Sequence, residues 1–417
     1  MLSRGLLLAG PRSGATATIG EAGSMGFGVG CYPGDPSDLT AMGLTPMQGY
    51  DDPSHANYGN YQHTNGSVMV FVPAFCYRIG DAAAPSYSRD KENALEIRDA
   101  ALGEGGGWIL HRAFIDGGVQ KTGFFMDKYL CSKSTTDQNV AVSVKNADQI
   151  SLSSSYANSS SMTGCVGELL DAITLGRARG SHYSCVTAFQ WAAMSMLSLA
   201  HAQASKSSQW CAWYDASNVK NYPKGCNNGS RADTDETSLT WAQHSKYSNF
   251  GKTGSCSTFA KSTHNGQANG IADVNGCMRQ TLIGWDNPTG QKIWVMKESF
   301  AAHDMTKDNY KEQGNYDVVS ISRGDGTYYW GSNAFYSEAS GTNRALCGVM
   351  PKTLQSSGTN TFGRDYCYLN YHSGRALAGG GNCSDGSKAG VWFRDGYYDW
   401  SLGSYRYCGF RAAGYAS

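Results

Sequence analysis

The sequence predicts an α+β fold with little regular secondary structure, on three observations. A full helix signature occurs once, from residue 187 to about 203. Strand signals are short and scattered, and long Ser-, Asn- and Gly-rich stretches separate them. The 417 residues include 52 glycines and only 16% charged residues, so the chain is rich in loops. Its ten Trp and 25 Tyr still allow a large core, which argues against disorder.

Residues 1–62 are rich in Gly, Pro, Asp and Met and show no sustained period. They read as an attachment or oligomerisation segment ahead of one ligand-binding domain over 63–417. Within them Gly26-Phe-Gly-Val-Gly30 lacks the strand–helix context that a phosphate loop needs. The first ten residues carry one Arg and a short apolar run, which falls short of a secretion signal. No stretch reaches the length of a transmembrane helix.

Residues 68–79 are dense in β-branched and aromatic side chains and read as a strand interrupted at Pro73, hence at a sheet edge or a bulge. A second strand is expected at 123–130, with the turn Gly103-Glu-Gly-Gly-Gly107 between the two. Residues 132–164 read as a surface loop. The helix opens on Thr187 and Gln190, which fit a T-x-x-Q capping box, and Phe189, Ala193, Met196 and Ala200 share one face. Residues 204–268 carry Trp210, Trp213 and Trp241 among turn signals and are expected to be irregular. Short strands follow at 292–297, 316–321 and 327–330.

Lys plus Arg equals Asp plus Glu at 34 each, so no net charge recruits nucleic acid or an anionic membrane. Thirteen cysteines contain no C-x-x-C, the closest pair being Cys211 and Cys226, which excludes a compact zinc module. A disulfide framework and a set of buried small hydrophobes are both open readings, and the irregular spacing favours the second. Nine His are scattered, no EF-hand loop is present, and acidic residues are not clustered, so neither catalytic residues, nor a metal, nor another cofactor is expected.

The last forty residues stand apart. A Gly-rich apolar frame, Gly379-Gly-Gly-Asn-Cys-Ser-Asp-Gly-Ser-Lys-Ala-Gly-Val-Trp392, precedes an insert at 393–408 made almost entirely of Tyr, Asp, Ser, Gly and Arg; a second frame, Gly409-Phe-Arg-Ala-Ala413, follows. Glycine suits closely packed backbone. The insert has the vocabulary of a binding surface, in which rigid Tyr supplies area and small polar residues adapt.

Five segments in order resemble the formylglycine-generating-enzyme (sulfatase-modifying factor) branch of the C-type-lectin fold. They are Met69-Val-Phe-Val-Pro73, Gly123-Phe-Phe-Met-Asp-Lys-Tyr129, Val186-Thr-Ala-Phe-Gln-Trp-Ala-Ala193, Gly270-Ile-Ala-Asp-Val-Asn-Gly276 and Gly409-Phe-Arg411. The last three are similar to that family's "LPTEAEWEYAA", "GLYDMxGN" and "GFR". The resemblance implies a C-type-lectin-like fold of this type over about residues 66–413. It does not carry the activity. Cys367, Cys383 and Cys408 are widely spread where the enzymes pair two cysteines closely, and Gly276-Cys-Met-Arg-Gln-Thr281 stands where they have "GNVWEW".

The two frames also resemble the C-terminus of variable proteins diversified by retroelements, in which "GGxWNNGxNAGVF" and "GFRxA" flank a variable stretch. Such proteins are phage tail-fibre receptor-binding proteins or bacterial surface ligand-binding proteins. Their diversified codons exclude Glu, Lys, Gln, Met and Trp. Across 393–408 only Trp400 lies outside the permitted set, so Trp400 is expected to be a fixed packing residue.

The resemblance implies a variable region at about 366–408. The expected ligand contacts are Tyr371, Cys383, Ser384, Asp385, Ser387, Arg394, Asp395, Tyr397, Tyr398, Asp399, Ser401, Ser404, Tyr405, Arg406 and Tyr407. Tyr397, Tyr398, Tyr405 and Tyr407 would anchor the ligand, and the Arg and Asp residues would set charge complementarity. The implied protein is not an enzyme: it sits on the virion as a tail-fibre tip and binds a bacterial surface receptor, protein or glycan. Its other partners would be phage tail components, with a homotrimer as one expected assembly and no nucleic acid or membrane insertion. A bacterial surface-displayed binding protein is the first alternative, and an oxidase of the sulfatase-modifying type is the second.

Overall fold

The computed structural model describes residues 18–416 except 155–158, 217–224, 227–228, 288–291, 321–324, 339, 371–373 and 402–406. Strands dominate and helices are few, an α+β architecture carried by two large sheets. The first sheet is antiparallel throughout. Its order is Leu44–Pro46, Asn60–His63, Val68–Pro73, Gly123–Asp127, Ala412–Gly414, Tyr183–Cys185. The second runs Tyr316–Ser320, Lys292–Met296, Arg279–Asp286, Arg375–Gly380, Gly390–Asp399, Tyr366–Leu369, Gly326–Trp330, Leu354–Gln355. Cys408–Gly409 pairs in parallel with Arg279 and Gln280 of that second sheet. Residues 408–414 therefore join the two sheets.

Arg411 fixes this junction. It is fully buried, and its guanidinium donates to Gln280 Oε1 (2.6 Å), to the Asp127 carbonyl (3.0 Å) and to the Ala272 carbonyl. Asp273, from the Gly270–Gly276 motif, is equally buried and accepts from Trp241 Nε1, Thr253 Oγ1 and the Gly254 amide. Two motif residues far apart in sequence thus meet as internal hydrogen-bond hubs.

The helix forms as the capping box requires, over Ala188–Ala204, with Thr187 and Gln190 bonded reciprocally. Its surroundings differ from the one-faced expectation: every residue from Ala188 to Gln203 is buried. No residue from Ala188 to Ala200 is charged. Its serines donate back to their own helix, Ser195 to the Trp191 carbonyl (3.0 Å) and Ser198 to that of Met194 (2.9 Å), so all sides of the helix are compatible with burial.

Two further expectations are corrected. The strand ending at Pro73 is central, not an edge, paired on one side with Asn60–His63 and on the other with Gly123–Asp127. Pro73 ends it, and after Ala74 the chain enters a separate small sheet, where Phe75–Ile79 lies between Leu95–Asp99 and Ile109–Leu110. The boundary at residue 62 falls inside the first sheet, and Ile19, Phe27 and Val29 lie in the main core. The described part of the N-terminal segment is therefore packed into the same body. The later strands form at Lys292–Met296, Tyr316–Ser320 and Gly326–Trp330, close to where they are expected.

Twelve of the thirteen cysteines are buried, as small apolar side chains would be. The Gly-rich frame has a steric cause. A Cβ at Gly379 would stand 2.8 Å from the Trp191 ring, and one at Gly381 2.6 Å from Ala389 Cβ. Among the described residues no helix is long and apolar enough to cross a membrane.

Candidate functional site

The first half of the insert is not a loop. Gly390–Asp399 is a strand inside the second sheet, antiparallel to Arg375–Gly380 and parallel to Tyr366–Leu369. Phe393, Arg394, Asp395 and Tyr398 are buried, at 0, 0, 3 and 5% exposure. Arg394 and Tyr398, expected at the ligand, are thereby moved into the framework. The Arg394 guanidinium donates to the carbonyls of Gly348, Val349, Val391 and Phe393 and to Ser195 Oγ, at 2.8–3.1 Å. All five N–H groups have acceptors, which is what a buried guanidinium needs. Burial pulls its pKa down to about 9.

Asp385 and Asp395 are likewise tied inward, by a residue that sequence reasoning missed. Arg279 donates Nε and Nη2 to the two Asp385 oxygens, at 3.1 and 2.7 Å, and places Nη1 3.2 Å from Asp395 Oδ2. The same guanidinium lies over the rings of Phe393 and Tyr398, at 5.2 and 4.8 Å. One cation thus clamps the turn at 382–388 to the strand. The available sequence signal was a lone Arg heading the apolar strand Arg279–Asp286, since a buried Arg demands a carboxylate or carbonyl partner.

Burial lifts the Asp395 carboxyl to about 6; the Arg279 charge opposes this and the Asp385 charge adds to it. A folded-state pKa above the unfolded value means that the folded form holds this proton more tightly. The stabilisation is fully present below about pH 4 and is lost as pH rises through 6. Urea unfolding from pH 4 to 7 is expected to show the wild type losing on the order of 2 kcal/mol relative to Asp395→Asn across this window. Parallel pH profiles for the two proteins would refute the assignment.

Other residues of the segment reach solvent to differing degrees. Tyr397 is 37% exposed, Ser384, Ser387 and Ser401 are exposed, and Asp385, Asp399 and Tyr407 are half-buried. Tyr397 meets Tyr368 of the neighbouring strand edge-on at 5.6 Å, which adds Tyr368 to the surface. Asp399 caps the turn after the strand, accepting from the Ser401 amide and hydroxyl at 3.0 and 2.8 Å. Trp400 packs half-buried against the core, perpendicular to Tyr310 at 6.0 Å, as a fixed residue should. Cys383 is fully buried in an apolar cluster with Leu130, Trp241, Phe250 and Cys277, so it fills space and does not reach a ligand. Tyr371, Ser404, Tyr405 and Arg406 lie outside the described residues.

The result is a rigid surface of tyrosines, hydroxyls and a few carboxylates over a clamped framework, suited to non-covalent recognition. Thiol chemistry is disfavoured: burial pushes the Cys408 thiol up to about 12, away from the reactive thiolate. Among the described residues no group of three His, Cys, Asp or Glu is placed to hold a metal.

No protein-family model and no curated protein matches the chain. Among solved structures it is similar to the Major Tropism Determinant M1 variant, at 10% identity over 84% of this chain and 63% of that chain, with a TM-score of 0.32. It is also similar to the Major Tropism Determinant U1 variant, at 11% identity over the same shares, with a TM-score of 0.29. The chain thus spans less than two thirds of the length of either.

Proposed function

We propose that the chain is a ligand-binding protein, concretely a receptor-binding tail-fibre protein of a phage. Its scaffold would be C-type-lectin-like, of the formylglycine-generating-enzyme type, with a C-terminal face diversified by a retroelement. The observation that carries this reading is the division of labour within residues 382–408. Arg394, Asp395, Tyr398, Cys383 and Trp400 are anchored in the core, while Ser384, Ser387, Tyr397 and Ser401 project from it and Tyr407 lies half-buried at its edge. Side chains at the second set change the surface while leaving the core contacts in place. The N-terminal segment would attach the protein to the virion, and several copies on one particle would raise weak single-site affinity. The receptor is a protein or glycan of the bacterial surface.

A library randomised at Ser384, Ser387, Tyr397, Ser401 and Tyr407 tests this. Most members are expected to stay within about 0.5 kcal/mol of the parent per substitution in denaturant unfolding. Labelled protein should adsorb to a subset of a bacterial strain panel, and that subset should change from member to member. Adsorption that is the same for every member, or absent for all, would sink the reading.

A further inference from the structure

The glycine-rich stretch Gly26-Phe-Gly-Val-Gly30, which lacks the context of a phosphate loop, has another part in the fold. Residues 19–28 form a compact loop whose neck is closed by the Gly28 amide donating to the Ile19 carbonyl at 2.9 Å. The loop packs against the end of the buried helix Ala188–Ala204 and against residues 264–271. Phe27 stacks on the His201 ring at 5.2 Å, with the two planes 10° apart. The Gly23 amide donates to His201 Nδ1 at 3.0 Å, and the Gly26 amide to Gln267 Oε1 at 2.8 Å. Asn265 Nδ2 and Gln267 Nε2 donate in return to the carbonyls of Phe27 and Ser24. His264 Nε2 lies 3.3 Å from the Gly28 carbonyl. Gly28 has a φ of +81°, and a Cβ there would stand 3.2 Å from that ring nitrogen, so glycine lets the backbone approach.

These bonds require both histidines to be neutral. An amide N–H only donates, so the Gly23 amide makes His201 Nδ1 an acceptor and leaves the ring proton on Nε2, 2.6 Å from the Trp210 carbonyl. The Ile271 amide does the same at His264 Nδ1, at 3.0 Å, and Nε2 donates to Gly28. A second proton on either ring would set N–H against N–H. Both rings are 0% exposed. The groups behind them are cations: Arg411 donates to the Ala272 carbonyl beside Ile271, and Lys128 donates to that of Ala268. The nearby acids are otherwise engaged or exposed. Asp99 accepts from the Ile19 amide, Asp273 is taken up by Trp241, Thr253 and Gly254, and Glu21 of the loop is exposed, as is Lys206 after the helix.

We propose that His201 and His264 form an acid-sensitive latch, and that their protonation in mild acid releases the loop at 19–28 while the two sheets stay folded. The inference goes beyond the receptor reading and does not depend on it. Burial holds both histidines at about 4, below the ordinary 6.5; at His264 the His201 and Arg411 charges add to this. A folded-state pKa below the unfolded value means that the open form takes up the protons. The latch is fully closed above about pH 6.5 and loosens as pH falls toward 4. From pH 7 to 5 each ring multiplies the opening equilibrium roughly twentyfold, and the pair by on the order of a hundredfold or more. Lys128, lowered to about 7 by burial, adds only about twofold over that interval. Asp395 works in the opposite direction there, stabilising the fold as pH falls.

Hydrogen exchange of the full chain at pH 7, 6 and 5, with each rate divided by that of the unfolded peptide at the same pH, tests the latch. Protection at residues 23–28 is expected to fall about a hundredfold or more from pH 7 to 5, while Gly123–Asp127 changes by less than about threefold. His201→Gln and His264→Gln each remove one titrating ring and keep a neutral donor and acceptor. Each should cut the pH response to about twentyfold, and the double variant should remove it, whatever its protection at pH 7. His303→Gln, at a partly exposed histidine outside the latch, should keep the full response. An NMR titration of the wild type reads the rings without any variant, and both should stay neutral in the folded protein down to about pH 5. Protection at 23–28 that is unchanged between pH 7 and 5, or lost together with that of Gly123–Asp127, would overturn the inference. So would a His201→Gln response equal to that of the wild type, or either ring titrating near 6.5 while the loop stays protected.

Discussion

Replacing Arg394 with alanine is expected to destabilise the fold by on the order of 4 kcal/mol, although Arg394 lies in the segment proposed to vary. The substitution leaves the carbonyls of Gly348, Val349 and Phe393 without their guanidinium donor in a dry interior, while that of Val391 keeps Trp191 Nε1 and Ser195 Oγ, and each orphaned acceptor costs about 1–3 kcal/mol. Removal of the guanidinium, whose burial is itself unfavourable, offsets part of that total. Lysine should not rescue, because three donors on one nitrogen cannot reach acceptors arranged for a planar fork. Denaturant unfolding of Arg394→Ala, Arg394→Lys and Tyr397→Ser separates framework from surface: the first two should be strongly destabilised and the third should stay within about 0.5 kcal/mol. If Arg394→Ala matched the wild type, the division of the segment into fixed and projecting positions would fail.

The second large effect is expected at Arg179. Its guanidinium pairs with the Asp127 carboxylate, and both side chains are almost completely enclosed, at 1 and 0% exposure. Asp127 also accepts from the Ala412 amide (2.8 Å) and lies near Cys131 Sγ (3.1 Å). Arg179→Met removes the cation and leaves a buried carboxylate uncompensated, a change worth about 3–5 kcal/mol. Since Asp127 ends the strand that pairs with Ala412–Gly414, the loss should loosen the C-terminal strand first, seen as faster amide exchange at 412–414. Adding Asp127→Asn should recover part of the stability, because the uncompensated charge goes with it. A double mutant no more stable than Arg179→Met would contradict this account.

How much was legible in the sequence follows the range of each interaction. The helix start was readable because the Thr187–Gln190 box is local. The strands near 292, 316 and 326 were readable from composition. The central position of the strand ending at Pro73 was not, because flanking partners leave no mark on the strand they cover. Arg279 was missed for a related reason: its Asp385 partner lies 106 residues away. Tyr407 was foreseen as a contact, but the loop at 246–250, whose Phe250 ring it meets, carried no signal beyond turn-rich composition.

The sequence by itself determined the α+β class, the helix and its cap and the Gly-rich frames, since each rests on neighbouring residues or on bulk composition. Only the tertiary structure decided which Tyr, Asp, Ser and Arg of the C-terminal segment meet solvent. A strand with one wet face announces its burial by alternation, but Gly390–Asp399 is covered on both faces. Its polar side chains stay inside because acceptors and counter-charges arrive from residues 195, 279 and 348–349. No local pattern records those partners, so Arg394 and Asp395 read as surface until the chain is folded.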